Sequence, residues 1–200
     1  EGFTMLAGEA TVTPGEGADS PLTFEGGGPS LLSGSRDGLV WHLASRRLEA
    51  TIGGMPRQLL AIDAGGPASL VTHRQTPQGL ERTTVDAERW QLTPLGEGGW
   101  KAQAGPSFAA QRHPATGSPW SLEGRWLRLE RTGAGGLRMM QAQENVQLKL
   151  GDRIRLVSDR LDWMAGTPGR VLLTGAPAQA WQGQDVIEAP RLVLLQSERE

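Results

Sequence analysis

Two hundred residues with a net charge of −2 and a pI near 6.0 suit one domain of ordinary or elongated shape, without the basic excess that grips nucleic acid. No apolar run reaches the roughly 18 residues of a membrane helix. Cysteine is absent, which excludes disulfides, thiolate metal sites and thiol nucleophiles.

The chain opens on Glu1 rather than Met, so it reads as a mature or excised piece whose leader or anchor would lie upstream. Residues 1–65 form its divergent part. Thr13 to Ser20 and Glu25 to Ser30 are rich in Gly and Pro and predict loops, while Leu43 to Ala50 is the best helix candidate, barely two turns long. Around Gly38 to Trp41 there is a weak trace of a pattern that becomes clear later.

Beyond residue 65 the period is two. Trp90-Gln91-Leu92, Leu127-Arg128-Leu129, Val146 to Leu150 and Ile154-Arg155-Leu156 each set one apolar face against one polar face, as a half-buried antiparallel strand requires. Turn signals recur at Thr93-Pro94, Gly96 to Gly99, Gly133 to Gly136, Thr167-Pro168-Gly169 and Gly183-Gln184-Asp185. Short strands at that spacing predict an all-β sandwich, roll or solenoid in a single domain over residues 1–200.

A repeat sharpens this. The pattern apolar-x-small-x-x-apolar-x-apolar fits Val85 to Leu92, Leu122 to Leu129, Leu156 to Trp163 and Ile187 to Leu194. Its small residue falls at 87, 124, 158 and 189, so the intervals are 37, 34 and 31. The two consecutive x positions switch the face of a strand unless a bulge or corner sits there. The small residue gives such a bend room. A second strand precedes each copy.

Catalytic constellations are not evident. His42, His73 and His113 lack metal-site spacing. The serine of Gly34-Ser35-Arg36-Asp37-Gly38 is off the centre of a hydrolase elbow. Glycine runs at 26–28 and 133–136 lack the Lys and helix of a phosphate cradle. Glu123 with Glu130 and Asp159 with Asp162 sit at water-facing strand positions. Trp90, Trp126 and Trp163 suit core packing better than sugar stacking. No enzyme, cofactor or metal is expected. A bent roll does leave a free strand at each end, able to pair with another chain. Its apolar interior would also favour an acyl chain by about 0.8 kcal/mol per methylene.

The C-terminal text carries a family resemblance. Asp152-Arg153-Ile154, Ser158 to Trp163, Val171 to Ala178, Trp181-Gln182-Gly183 and Val186 to Leu192 together resemble the OstA-like family of lipopolysaccharide-transport periplasmic proteins, which includes LptA, LptC and the N-terminal domain of LptD. The likeness is clearest over 144–195, looser over 66–130 and nearly absent before Leu31. Pro177 and Pro190 depart from the family text. The resemblance implies a periplasmic β-jellyroll, taco-like, whose edge strands pair with other transport components or with another copy. It implies lipopolysaccharide or another acyl-chain lipid as ligand, in an outer-membrane assembly route. By this analogy the groove would be lined by Val146, Leu148, Leu156, Leu161, Val171, Leu173, Ile187, Ala189, Leu192 and Leu194. Two other readings stay open: a scaffold domain of a larger envelope protein, and a carbohydrate-binding β-solenoid using Trp120 or Trp181.

Overall fold

Period-two alternation demands strands. The computed structural model, which describes residues 2–15, 20–36, 38–53, 58–95, 99–132, 136–166 and 169–196, contains strands, turns and bends and no helix among them. The strands are β1 (Gly2–Pro14), β2 (Leu22–Arg36), β3 (Leu39–Gly53), β4 (Gln58–Thr76), β5 (Gly79–Pro94), β6 (Trp100–His113), β7 (Trp120–Gly124), β8 (Trp126–Arg131), β9 (Leu137–Leu150), β10 (Ile154–Met164), β11 (Gly169–Gln182) and β12 (Asp185–Gln196). All belong to one antiparallel sheet in chain order. Strands β7 and β8 share one position between β6 and β9.

Most of these strands are too long to run straight, and each is interrupted near its middle. Pairing slips at Ala7/Glu9, Gly27/Ser30, Ala44/Arg47, Gly65/Ala68, Ala87/Arg89, Ser158/Arg160 and Thr174/Ala178, and Arg125 separates β7 from β8. The slips lie beside one another across the sheet. They form a crease that divides every ladder position into two arms and the sheet into two wings.

The eight-residue repeat is this crease. In Val85 to Leu92 the buried positions are Val85, Ala87 and Trp90, with Glu88 and Arg89 exposed between the last two. Leu156, Ser158 and Leu161 repeat the arrangement in β10. The structure adds copies at Leu43-Ala44-Ser45-Arg46-Arg47-Leu48-Glu49-Ala50 in β3 and at Met5 to Val12 in β1. The expected helix over Leu43 to Ala50 is therefore overturned. Two inward residues flanking a strand corner are three apart, the same step that marks a helical turn, and over eight residues the two patterns coincide.

The partner strands turn the corner differently. They pass through Gly27-Gly28-Pro29, Gly65-Gly66-Pro67, Gly105-Pro106-Ser107, Gln143-Glu144-Asn145 and Gly175-Ala176-Pro177. Left-handed backbone occurs there at Gly28 (φ 72°), Gly66 (φ 76°), Ser107 (φ 62°), Glu144 (φ 61°) and Asn145 (φ 57°). Glu25 to Ser30, expected as a loop, is such a corner inside β2. Pro177 and Pro190 are accommodated for the same reason. The β11–β12 ladder jumps from Ala178↔Ala189 to Thr174↔Arg191, so neither proline removes a ladder hydrogen bond. Of the remaining turn signals, Gly183 and Gln184 form a tight turn. Residues 16–19, 96–98, 133–135 and 167–168 lie outside the described residues.

A single sheet exposes both faces unless it doubles over. Here Leu32, Leu48, Trp90, Leu122, Leu161 and Leu173 on one face have no exposed surface, although neither helix nor second sheet covers them among the described residues. Only the opposite wing can. Charge proximity agrees. Arg131, four residues beyond Leu127 in one wing, has its pKa pushed down first by burial and then by Arg74, which lies toward the margin of the other wing. The inner angle of the crease holds Ser30, Ser45, Ala68, Ala87 and Ser158, all buried and small, where the wings converge and space is least.

Steric limits at that angle give a direct test. Ala87 is registered between Ala68 and Phe108. Replacement Ala87→Leu is expected to destabilise the chain by about 1–3 kcal/mol through overpacking. Glu88→Ala, one residue along and exposed, should change stability by less than about 0.5 kcal/mol. Urea midpoints at constant m-value measure both.

Candidate functional site

The inward face of the folded sheet is where the expected lipid-lining residues fall, in three groups. Val146, Leu148, Leu156, Leu161 and Leu173 are buried and belong to one core cluster. Val171, Leu192 and Leu194 are partly buried and pack against it, and Ala189 is half-buried. Ile187 stands apart at 64% exposed. Its registered neighbour Ala180 is on β11, and among the described residues β12 has no strand on its other side, so the end of the sheet leaves Ile187 uncovered.

The lining is longer than the C-terminal text suggests. Leu32, Leu43, Leu48, Ile62, Leu70 and Trp90 extend the same cluster through β2 to β5. The repeat copies in β1 and β3 are the sequence signal that locates this half. Along the described strands the interior is closed, since its residues retain almost no exposed surface. It is a filled seam between two wings and not an open channel.

Toward the wing margins the same face becomes amphipathic. Trp41, Trp100, Trp120, Leu150, Ile154 and Trp163 are partly exposed and pack against the core. Arg131 lies over the Trp100 ring at 5.7 Å, and Arg112 pairs with Glu81 at 3.0 Å. Apolar rings with cations beside them suit a boundary between grease and water.

The outer face is polar and well paired. Asp63 on β4 accepts hydrogen bonds from Arg89 Nε at 3.0 Å and Gln91 Nε2 at 3.0 Å, with a second Arg89 contact through Nη2. Arg125 pairs with Glu144 at 2.9 Å and Arg160 with Asp162 at 2.7 Å. Glu123 and Asp159 are exposed, and Asp162 is held by Arg160 and Gln141, so neither acidic pair considered above converges on a shared cleft. Trp126 is exposed, and Trp181 carries Arg155 at 5.4 Å from its ring. His42 and His73, distant in sequence, meet on adjacent strands with ring centroids 6.2 Å apart. No group of three His, Asp or Glu gathers around a metal-sized site among the described residues.

A groove of about 1000 Å³ also runs beside the crease across β1 to β6. Leu31, Ala44, Pro29, Pro67, Ser30 and Ala68 are among the residues that line it.

No protein-family model, characterised protein or solved structure matches this chain.

The Asp63 cluster predicts a pH dependence. Hydrogen bonding to Arg89 is the largest influence on its carboxyl, and with Gln91 it outweighs burial and sets the pKa below the usual 3.8. A depressed pKa stabilises the fold above the unfolded value and loses that contribution as pH falls through the folded value. Asp63→Asn should therefore cost less than about 1 kcal/mol near neutrality, because the pair is solvent-screened. The gap from wild type should close below about pH 4, as followed by urea melts across pH.

Proposed function

We propose that the chain is a non-enzymatic lipid-bridge module of the kind the OstA-like resemblance implies, carrying lipopolysaccharide or another acyl-chain lipid in the periplasm toward the outer membrane. On this reading the creased sheet is a taco-like β-jellyroll and its inward face is the lipid path. The supporting observation is the continuity of that face. One cluster of buried apolar residues extends from Leu32 in β2 to Ala178 in β11, with further apolar residues of β1 and β12 packed against it, and among the described residues only the sheet itself covers it.

The filled interior gives the mechanism a definite form. An acyl chain enters by parting the wings and substituting its contacts for those between them. Each buried methylene contributes about 0.8 kcal/mol, offset by the wing contacts it displaces. Partly exposed Trp41, Trp100, Trp120 and Trp163 at the margins are the surface an arriving lipid meets first. The free edges of β1 and β12 allow modules to join, so that the path continues from one into the next.

Photo-crosslinking separates inside from outside. A photoreactive side chain at Leu173, fully buried, is expected to capture lipopolysaccharide, and one at exposed Arg155 is not. Equal labelling at the two sites rejects the lipid path. The closed interior also supports a second reading, a scaffold domain with a permanent core. A module that excludes apolar probes at every lipid concentration favours it.

End-to-end joining has its own test. Ile187 and Leu195 on the last strand are 64% and 67% exposed. The double change Ile187→Lys, Leu195→Lys should weaken association through β12 at least about tenfold, since edge charges oppose strand addition. Sedimentation velocity over a concentration series, alone and with candidate envelope partners, reads the change.

A further inference from the structure

The repeat supplies an internal standard against which two side chains stand out. The first residue after each corner is Leu48 in β3, Leu127 in β8, Leu161 in β10 and Leu192 in β12, all hydrocarbon. In β5 that position is Trp90, fully buried between Ala64 and Ala104, and its indole N–H has no hydrogen-bond partner in the protein. The small residue before the corner supplies the second contrast. Ser45 is buried there and donates its hydroxyl to the Arg47 carbonyl at 2.9 Å. Ser30, buried in the neighbouring strand, donates to the Gly28 carbonyl at 3.3 Å. Ser158 occupies the position of Ser45 in its own copy and is equally buried, yet its hydroxyl has no such partner.

Buried donors without acceptors are rare and unfavourable, so each asks for an explanation. Ser158 lies at the inner angle of the crease and Trp90 just beyond the corner of its strand, both on the face that the lipid reading makes the transport path. An indole N–H donates and cannot accept, so the group that completes it must be an acceptor. Plain hydrocarbon cannot do this. A hydroxyl or ester oxygen part-way along an acyl chain can, and it would serve the Ser158 hydroxyl equally well. Trp90 and Ser158 are four strand positions apart, roughly 19 Å at the usual strand spacing, so they act as two separate contact points along one path.

We propose that Trp90 and Ser158 select acyl chains that carry an oxygen acceptor within the hydrocarbon, in preference to unsubstituted chains of equal length. This rests on the lipid reading above and goes beyond it by assigning two residues a discriminating role. Leu48, Leu127 and Leu161 supply apolar contact that every acyl chain shares. The two donors add a term that only the oxygenated chain receives.

The test uses mid-chain hydroxystearate and stearate below their micelle concentrations, titrated by calorimetry into the full chain. The quantity read is the ratio of the two affinities, which cancels the different solubility of the ligands. Trp90→Phe is expected to lower the hydroxystearate-to-stearate ratio about tenfold, the size of one net hydrogen bond to a neutral acceptor, whatever the common change in affinity for both acids. Ser158→Ala, which alters almost no volume, should lower it about threefold or more. A ratio that stays constant in both variants overturns the proposal while leaving lipid binding intact. Failure of wild type to bind either acid overturns the lipid reading itself and this inference with it. An equal loss of affinity for both acids in Trp90→Phe alone, with Ser158→Ala unchanged, marks Trp90 as packing only and also counts against the proposal.

Discussion

The physical constraint behind the whole architecture is the alignment of strand corners. A strand shows opposite faces at successive residues, so an irregularity in one strand alone would send half of its apolar residues to the wrong side. Placing a corner at the same height in every ladder position removes that conflict. The inward set then stays inward through Leu43, Ser45 and Leu48 in β3, through Val85, Ala87 and Trp90 in β5, and through Leu156, Ser158 and Leu161 in β10. The sheet bends along the line, and its two wings bury one another. Helices are unnecessary because the sheet supplies its own second layer. Gly27, Gly28 and Pro29, Gly65, Gly66 and Pro67, Gly105 and Pro106, and Gly175 and Pro177 become intelligible in the same terms, for each group sits at a corner. Proline and left-handed glycine are tolerated where ladder hydrogen bonds are already interrupted.

Legibility in the sequence followed from how local each signal was. Alternation along β5, β8, β9 and β10 involves neighbouring residues and predicted strands there. The corner pattern spans eight residues and was readable in four places. In β3 it is ambiguous, because Leu43, Ala44 and Leu48 satisfy a short helical spacing equally well. In β2 the Gly-Gly-Gly-Pro run offered no side chain by which to distinguish a corner from a loop. Both ambiguities resolve only through pairing partners far along the chain: Leu43 registers with Leu32 and Leu70, and Ser30 with Ala7 and Ser45. Propensity yields there to tertiary context.

The lining shows the same division. Val146, Leu148, Leu156, Leu161 and Leu173 lie where alternation puts them, inside. Ile187 obeys the same alternation but has no neighbour to cover it, because burial depends on the next strand and β12 is the last. Sequence period fixes which face a residue joins, whereas its exposure depends on the sheet boundary. Closure of the wings is equally non-local. The influence of Arg74 on Arg131 connects residues 57 apart in sequence, and no window of local pattern contains both. Likewise His42 and His73 meet only because β3 and β4 are adjacent.

A filled interior and a carrier function are compatible on energetic grounds. An open apolar trough would expose Leu32, Leu48, Trp90, Leu122, Leu161 and Leu173 together, at roughly 1.5–3 kcal/mol for each such side chain returned to water. That penalty approaches or exceeds the 5–15 kcal/mol by which an ordinary domain is stable. A chain whose sole cover is its own second wing therefore rests closed when empty. On the proposed reading, binding would be an exchange in which lipid methylenes replace wing-to-wing contacts of similar quality, so the net affinity would be modest even though the buried area is large. Modest affinity suits a relay, since a segment that held its ligand with the full hydrophobic free energy would not release it. On the same reading the crease would be the line about which the wings separate while every strand keeps its hydrogen-bonded neighbours. Transfer along such a path requires only that the two wings part locally as the chain advances.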